Sequence, residues 1–212
     1  LETTPRRPLK EHPSTEYKSP TKWRLPVEGI WWVNYGGPTY LQNVHARIPA
    51  KRYSYDFAIW RDGAFFRGSG STNTDYHSFA QRAVAPCEGT VIAVVDGIPD
   101  NEPGQPNSAV HPAGNHLVIR TESDEYVVLS HLQMGSIRVV VDDDVNVGDV
   151  LGLVGNSGQS SVPHLHFYVQ DQQDVLSPIA LGLPISFYNY YSDGELISTG
   201  VPIQGQLIQQ AD

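Results

Sequence analysis

The chain is poor in three things: thiols, basic charge and long apolar runs. A single cysteine, Cys87, excludes any internal disulfide framework. Its setting, Ala85-Pro86-Cys87-Glu88-Gly89, reads as a small half-buried position rather than a nucleophile. Lys and Arg total 14 against 23 Asp and Glu in 212 residues, a formal charge of −9 with neutral His. That balance argues against nucleic acid or an anionic membrane surface as partner. No apolar stretch approaches the roughly 18–20 residues of a membrane span, and no basic-then-apolar leader precedes the polar start at Leu1. A sustained helical period is missing as well. Abundant instead are 19 Gly, 16 Pro and 11 Tyr, the composition of a loop-rich β protein.

Residues 1–25 are polar, proline-rich and aperiodic, an extended arm that carries His12 away from any site. Residues 26–42, with Trp31, Trp32 and Tyr35, predict a short aromatic strand and a turn. Such a cluster suits packing of an extension on the main core better than a sugar platform. In 53–60 the residues Tyr53, Tyr55, Phe57 and Ile59 share one face and Asp56 lies on the other. An acid in so aromatic a strand is costly unless paired, with Arg52 or Arg61 as the simplest partners, or bound to a cation. His45 lies just upstream. Residues 61–82 read as a surface loop carrying His77, and 97–114 as a second, Pro- and Gly-rich one. Asp96, Asp100, Asn101 and Glu102 offer oxygen ligands there but lack calcium-loop spacing.

Strands are predicted at 89–95, 116–120, 126–129, 137–141 and 185–191, with a turn at Asp142-Asp143-Asp144 and a final hairpin and polar tail from Ser192. The fold class is all-β: an antiparallel β-sandwich with an N-terminal extended arm and long loop insertions. Its expected divisions are an extension over 1–42 packing on the main domain, the domain itself over 43–191, and a tail over 192–212. Composition leaves the oligomeric state open.

The densest chemistry lies in 145–169. Gly155-Asn156-Ser157-Gly158 is turn chemistry between two apolar strands, followed by Pro163-His164-Leu165-His166-Phe167. Side chains at i and i+2 of a strand share a face, so His164 and His166 point together while Leu165 and Phe167 face a core. Two adjacent imidazoles suit a metal or a shared proton-transfer task better than two cations.

Gly148-Asp149-Val150-Leu151-Gly152, the Gly155–Gly158 turn, the Pro163–Phe167 segment and the upstream Ser130-His131-Leu132 together resemble the lysostaphin-type (LytM-like) zinc metallopeptidases. The likeness runs over roughly 43–170 in the right order and includes 85–91. It implies a zinc ion held by a His, an Asp and the second His of His-x-His. By position, Asp56 and His166 become ligands, while His164 and His131 become the pair that takes a proton from water and steadies the oxyanion. One departure stands out. The family writes its first ligand as His-x-x-x-Asp, and here that position is Arg52, which stays protonated and cannot bind zinc. His45, brought in by the loop 46–51, is the expected substitute, with His77 in reserve.

The resemblance further implies hydrolysis of peptide bonds in bacterial peptidoglycan. It places the protein outside the cell or in the periplasm or cell envelope, with a leader removed, and makes wall peptide stems or cross-links its partners. The alternative is a degenerate domain that binds wall peptides or regulates a partner hydrolase. A lipoyl- or biotinyl-carrier reading of 145–154 fails, since the tip 155–161 has no lysine.

Overall fold

The computed structural model describes residues 17–212. The arm expected over 1–25 therefore lies largely outside the described residues, His12 included. Twelve strands follow one another without an α-helix among the described residues. They are β1 (Ile30–Tyr35), β2 (Tyr55–Ala58), β3 (Arg82–Val84), β4 (Gly89–Val95), β5 (Asn115–Arg120) and β6 (Tyr126–Leu132), then β7 (Asp144–Val145), β8 (Val150–Leu153), β9 (Leu165–Gln170), β10 (Phe187–Ser192), β11 (Glu195–Gly200) and β12 (Leu207–Gln210).

Ten of them form one antiparallel sheet in the order β11-β10-β12-β1-β2-β9-β6-β5-β4-β7, and β3 with β8 forms a two-stranded ribbon. The all-β antiparallel expectation is borne out. One face of the large sheet builds the main core. Leu117, Leu129, Phe57, Phe167 and Phe187 pack there against Ala83 and Leu151 of the ribbon and against Trp23 and Leu25. Tyr55 stacks on Phe57 with ring centroids 5.2 Å apart. Each such buried side chain contributes on the order of 1.5–3 kcal/mol relative to exposure. Cys87 lies in this core, where burial, then the nearby Glu125 and Glu88, push its thiol up to about 12. It has no nucleophile's chemistry.

β9 is buried along its whole length because it lies between β2 and β6 with both faces covered. It is the strand on which the site is built. β1 and β12, from the expected extension and tail, are ladder strands of the same sheet: Trp32 pairs with Ala58 on one side and Leu207 on the other. The expected boundary at 191 falls within β10, whose hairpin to β11 turns on Asp193 and Gly194, φ 50° and 87°. Both central residues at positive φ are what a two-residue hairpin turn requires.

The strand expected over 137–141 does not form. Arg138 N–H donates to Leu151 O and Val140 N–H to the Asp143 carboxylate. Ile137 and Val139 reach the core, but Val140 and Val141 face solvent. Hydrophobic alternation is present and β8 lies alongside, yet only the Arg138 N–H bond to Leu151 O joins them and Val140 N–H is diverted to the Asp143 carboxylate, so no ladder continues. The 61–82 segment is a surface excursion as expected, with isolated bridges Arg61–Ala64 and Phe66–Tyr76.

Candidate metal centre

Register brings the first two groups together. Asp56 of β2 is the direct cross-strand partner of His166 of β9. Tyr55 and Phe57 enter the core while Asp56 and His166 face the opposite side. His166 Nδ1–H donates to Asp56 Oδ1 at 2.6 Å. The third group arrives by a capped turn. Asn43 is fully buried, its side-chain oxygen accepting from His45 N–H at 3.0 Å and its amide donating to Arg52 O and Ser54 O. That cap closes the loop between β1 and β2 and fixes the short helical turn Val44–Arg47. His45 Nε2–H then donates to Asp56 Oδ2 at 3.0 Å.

One donor atom each from His45, Asp56 and His166 lies within 4.8 Å of the others. His77 is held elsewhere, its N–H donating to Phe65 O, and it is outside that group. Neither Arg52 nor Arg61 pairs with Asp56, so the simple ion-pair expectation gives way to two imidazoles. The Arg52 guanidinium instead reaches Ala46 O at 3.4 Å and lies beside Tyr53.

A bulge aims the fourth group. Asn115 pairs with Leu132 and Leu117 with Leu129, so β6 carries one residue more than β5 between those pairs. Leu129 and Leu132 both reach the core, an odd spacing that regular alternation forbids. His131 absorbs the slip at φ 63°, in the left-handed region that a non-glycine residue adopts at a cost of about 1–3 kcal/mol. Its ring comes to 5.6 Å from that of His166 and 5.1 Å from that of His164. His164 sits just before β9 with Nε2 3.7 Å from Asp56 Oδ1.

Hydrogen bonds set the tautomers. His131 Nδ1–H donates to Ser157 O at 2.8 Å, and His164 Nδ1–H to Val162 O at 2.8 Å. Both Nε2 atoms are thereby left as acceptors, that of His164 beside Asp56. Burial depresses the His131 imidazole well below its ordinary value, and the charges of His164 and His166 add to that; His131 is neutral. Burial likewise lowers His166, to about 3, against the pull of Asp56. For Asp56 burial works upward, but His164 and His166, with hydrogen bonds from His166 and His45, outweigh it and hold the carboxyl ionised.

The 97–114 loop braces this arrangement. Asp100 accepts from Asn156 N–H at 2.6 Å and Met134 N–H at 3.1 Å, Asp96 accepts from Gly135 N–H, and the Asn101 amide donates to Gly158 O and Ser160 O. Of the residues that suggested a calcium loop, Asp96 and Asp100 direct their oxygens at backbone amides and Glu102 accepts from the Gln105 side chain. Gly114, at φ 62°, backs directly onto Ser157, whose carbonyl orients His131. Sequence reasoning missed Asn43, Gly114 and Ser157 as supports of the site. Asn43 carries a signal, a capping residue two positions before His45. Gly114 and Ser157 meet only through the fold.

The family model of peptidase family M23 matches residues 73–178, half of the chain. The chain belongs to that family. His131, His164 and His166 lie in the matched span; His45 and Asp56 precede it. The chain is 39% identical over 82 residues to endolysin 2638A of Staphylococcus phage 2638A, covering 36% of this chain and 17% of that protein. To the DD-carboxypeptidase/endopeptidase Mpg of Neisseria meningitidis serogroup B it is 31% identical over 71 residues, 34% of this chain and 16% of that one. It thus spans about a sixth of these relatives. Among solved structures, the M23 metalloprotease pseudoalterin from deep-sea aligns with TM-score 0.48 at 15% identity, over 88% of this chain and 99% of that one.

Proposed function

We propose that the chain is a zinc-dependent endopeptidase that hydrolyses peptide bonds in bacterial peptidoglycan, acting outside the cell or in its envelope. The observation that carries this reading is the convergence of His45, Asp56 and His166 within 4.8 Å, with the rings of His131 and His164 beside them. The names endolysin and DD-carboxypeptidase/endopeptidase borne by two relatives support the substrate class.

The donor set fits zinc. Two imidazoles and one carboxylate are the ligand types of a catalytic site with an open position. His166 is depressed to about 3 and so is neutral, and Asp56 is ionised, the states that ligation requires. Ser130 Oγ and His166 Nε2, on residues paired across β6 and β9, are both buried without a hydrogen-bond partner in the described structure. When bound, the ion supplies Lewis-acid polarisation of water and of the scissile carbonyl.

The chain's own groups supply the proton traffic. His131 is neutral with its Nδ1–H committed to Ser157 O, so its Nε2 lone pair takes the proton of the attacking water and returns it to the leaving amine. His164, fixed by Val162 O, presents its Nε2 from the other side of the cleft and steadies the developing oxyanion. Zinc per chain, measured after purification without added metal, together with release of peptides from purified peptidoglycan, tests the proposal. About one zinc and chelator-sensitive release are expected. A metal-free chain that still binds wall peptides would favour the degenerate alternative.

A further inference from the structure

Lys51 is a cation without a counter-ion at the edge of this site. It ends the helical turn Pro49–Lys51, which is tied down by Gly182 N–H donating to Pro49 O at 2.8 Å. Its ammonium lies 5.9 Å from the centroid of the Tyr168 ring. Tyr168 follows His166 by two residues on β9 and shares its face about 7 Å further along the strand, so the cation stands beside the strand that carries a candidate ligand. Among the described residues no carboxylate is within ion-pair distance of Lys51 Nζ, and no hydrogen bond holds it.

A half-buried ammonium in this position gives up hydration and receives only a ring face in return. Asp56 is near enough for its charge to act on Lys51, but that carboxylate is engaged by His45 and His166. The Asp174 carboxylate acts on both Tyr168 and His111, but it accepts from Leu176 N–H and makes no ion pair with Lys51, while His111, which also feels Lys51, adds no negative charge. With a divalent ion among the ligands the local potential becomes more positive still. Among the described residues neither nearby carboxylate, Asp56 or Asp174, pairs directly with the Lys51 ammonium, which leaves it open to an anion from outside the chain. About 7 Å is the reach of two extended residues.

We propose that Lys51 determines specificity by binding a free carboxylate of the substrate peptide, one or two residues from the scissile bond. The inference rests on the peptidase reading for its substrate class. The carboxylate has two sources, a peptide C-terminus or an acidic side chain.

Four synthetic wall-stem peptides separate them: one pair differing as C-terminal acid against carboxamide, the other as side-chain acid against amide beside the scissile bond. Each is assayed for kcat and KM with zinc-loaded wild type, Lys51→Gln and Lys51→Arg, and for equilibrium binding by calorimetry on the zinc-loaded His164→Ala background. Wild type is expected to favour the acid of one pair by on the order of tenfold, as a charge-assisted hydrogen bond would give, chiefly in KM. Lys51→Gln should erase that preference by weakening the acid alone, with zinc content unchanged; Lys51→Arg should retain most of it.

Equal losses on acid and amide in Lys51→Gln, or undiminished discrimination, would overturn the proposal, as would a wild type blind to both pairs. If wild type cleaves none of the peptides while the binding preference appears and vanishes with Lys51→Gln, the peptidase reading falls and the carboxylate site stands. Should Lys51→Gln not fold, loss of the preference in a folded Lys51→Met decides the matter in the same way.

Discussion

The roles proposed for the site residues are separable by substitution. The position four residues before Asp56, where the resemblance expects a histidine, is Arg52, and His45 is the proposed substitute. His45→Ala is expected to empty the metal site and His77→Ala to leave it filled, read as zinc per chain. His131→Ala and His164→Ala should retain zinc while hydrolysis drops by about 10²–10⁴-fold, the usual worth of a positioned acid–base group. A histidine outside the candidate ligand group should add to the acid sensitivity that His131 and His166 bring. His116 is 2% exposed and lies under His111 with ring centroids 4.5 Å apart. Burial lowers it from 6.5 to about 4. The unfolded chain therefore binds the proton first. His116's contribution is fully present above 6.5 and is lost as pH falls toward 4, by on the order of 3 kcal/mol. Urea midpoints between pH 7 and 4.5 should fall steeply in wild type and less steeply in His116→Gln.

At the scale of elements, the site depends on one irregularity. Strand alternation assigns Leu165 and Phe167 to the core and His166 to the other face, all legible in the sequence. It would also send His131 to the face opposite Ser130, and only the bulge in β6 corrects this. The bulge has no signature in 126–132, because it is imposed by the pairing of Asn115 with Leu132 and by the loop braced through Ser157. Gly114 is the contact point. A Cβ there would meet Ser157 O and Oγ, at a φ of 62° that disfavours any side chain. Gly114→Ala is expected to cost about 1–3 kcal/mol of stability. It should also lower kcat with zinc content intact, since the group displaced orients His131 and not the ligands. Denaturant titration and metal content, measured on one preparation, distinguish this from global misfolding. The missing strand at 137–141 is the converse case, with a fitting pattern whose ladder to β8 stops at Arg138 because Val140 N–H is taken by the Asp143 carboxylate.

Across the whole molecule, the sheet continues without a break from the β10–β12 end to the strands that carry the site. β12 lies between β10 and β1, and β1 pairs with β2, whose Asp56 anchors the centre. We therefore propose that the described extension, the body and the tail fold as one unit. Ile208, 1% exposed, is the test position. Ile208→Ala should lower stability by about 2–5 kcal/mol through the cavity it leaves. One cooperative transition should persist, seen alike by tryptophan fluorescence and by loss of bound zinc. Two separated transitions would show that the tail is a unit of its own.

The amino-acid sequence by itself determined the all-β character and the inward and outward faces of β2 and β9, with Asp56 and His166 turned away from the core. These follow from periodicity and side-chain type, both of them local properties. Only the tertiary structure decided that His45 reaches Asp56 where Arg52 does not, that His131 is turned into the cleft, and that Lys51 stands beside it without a counter-ion. Those outcomes depend on strand register, a capped loop and a bulge, which are fixed by contacts between residues far apart in the chain.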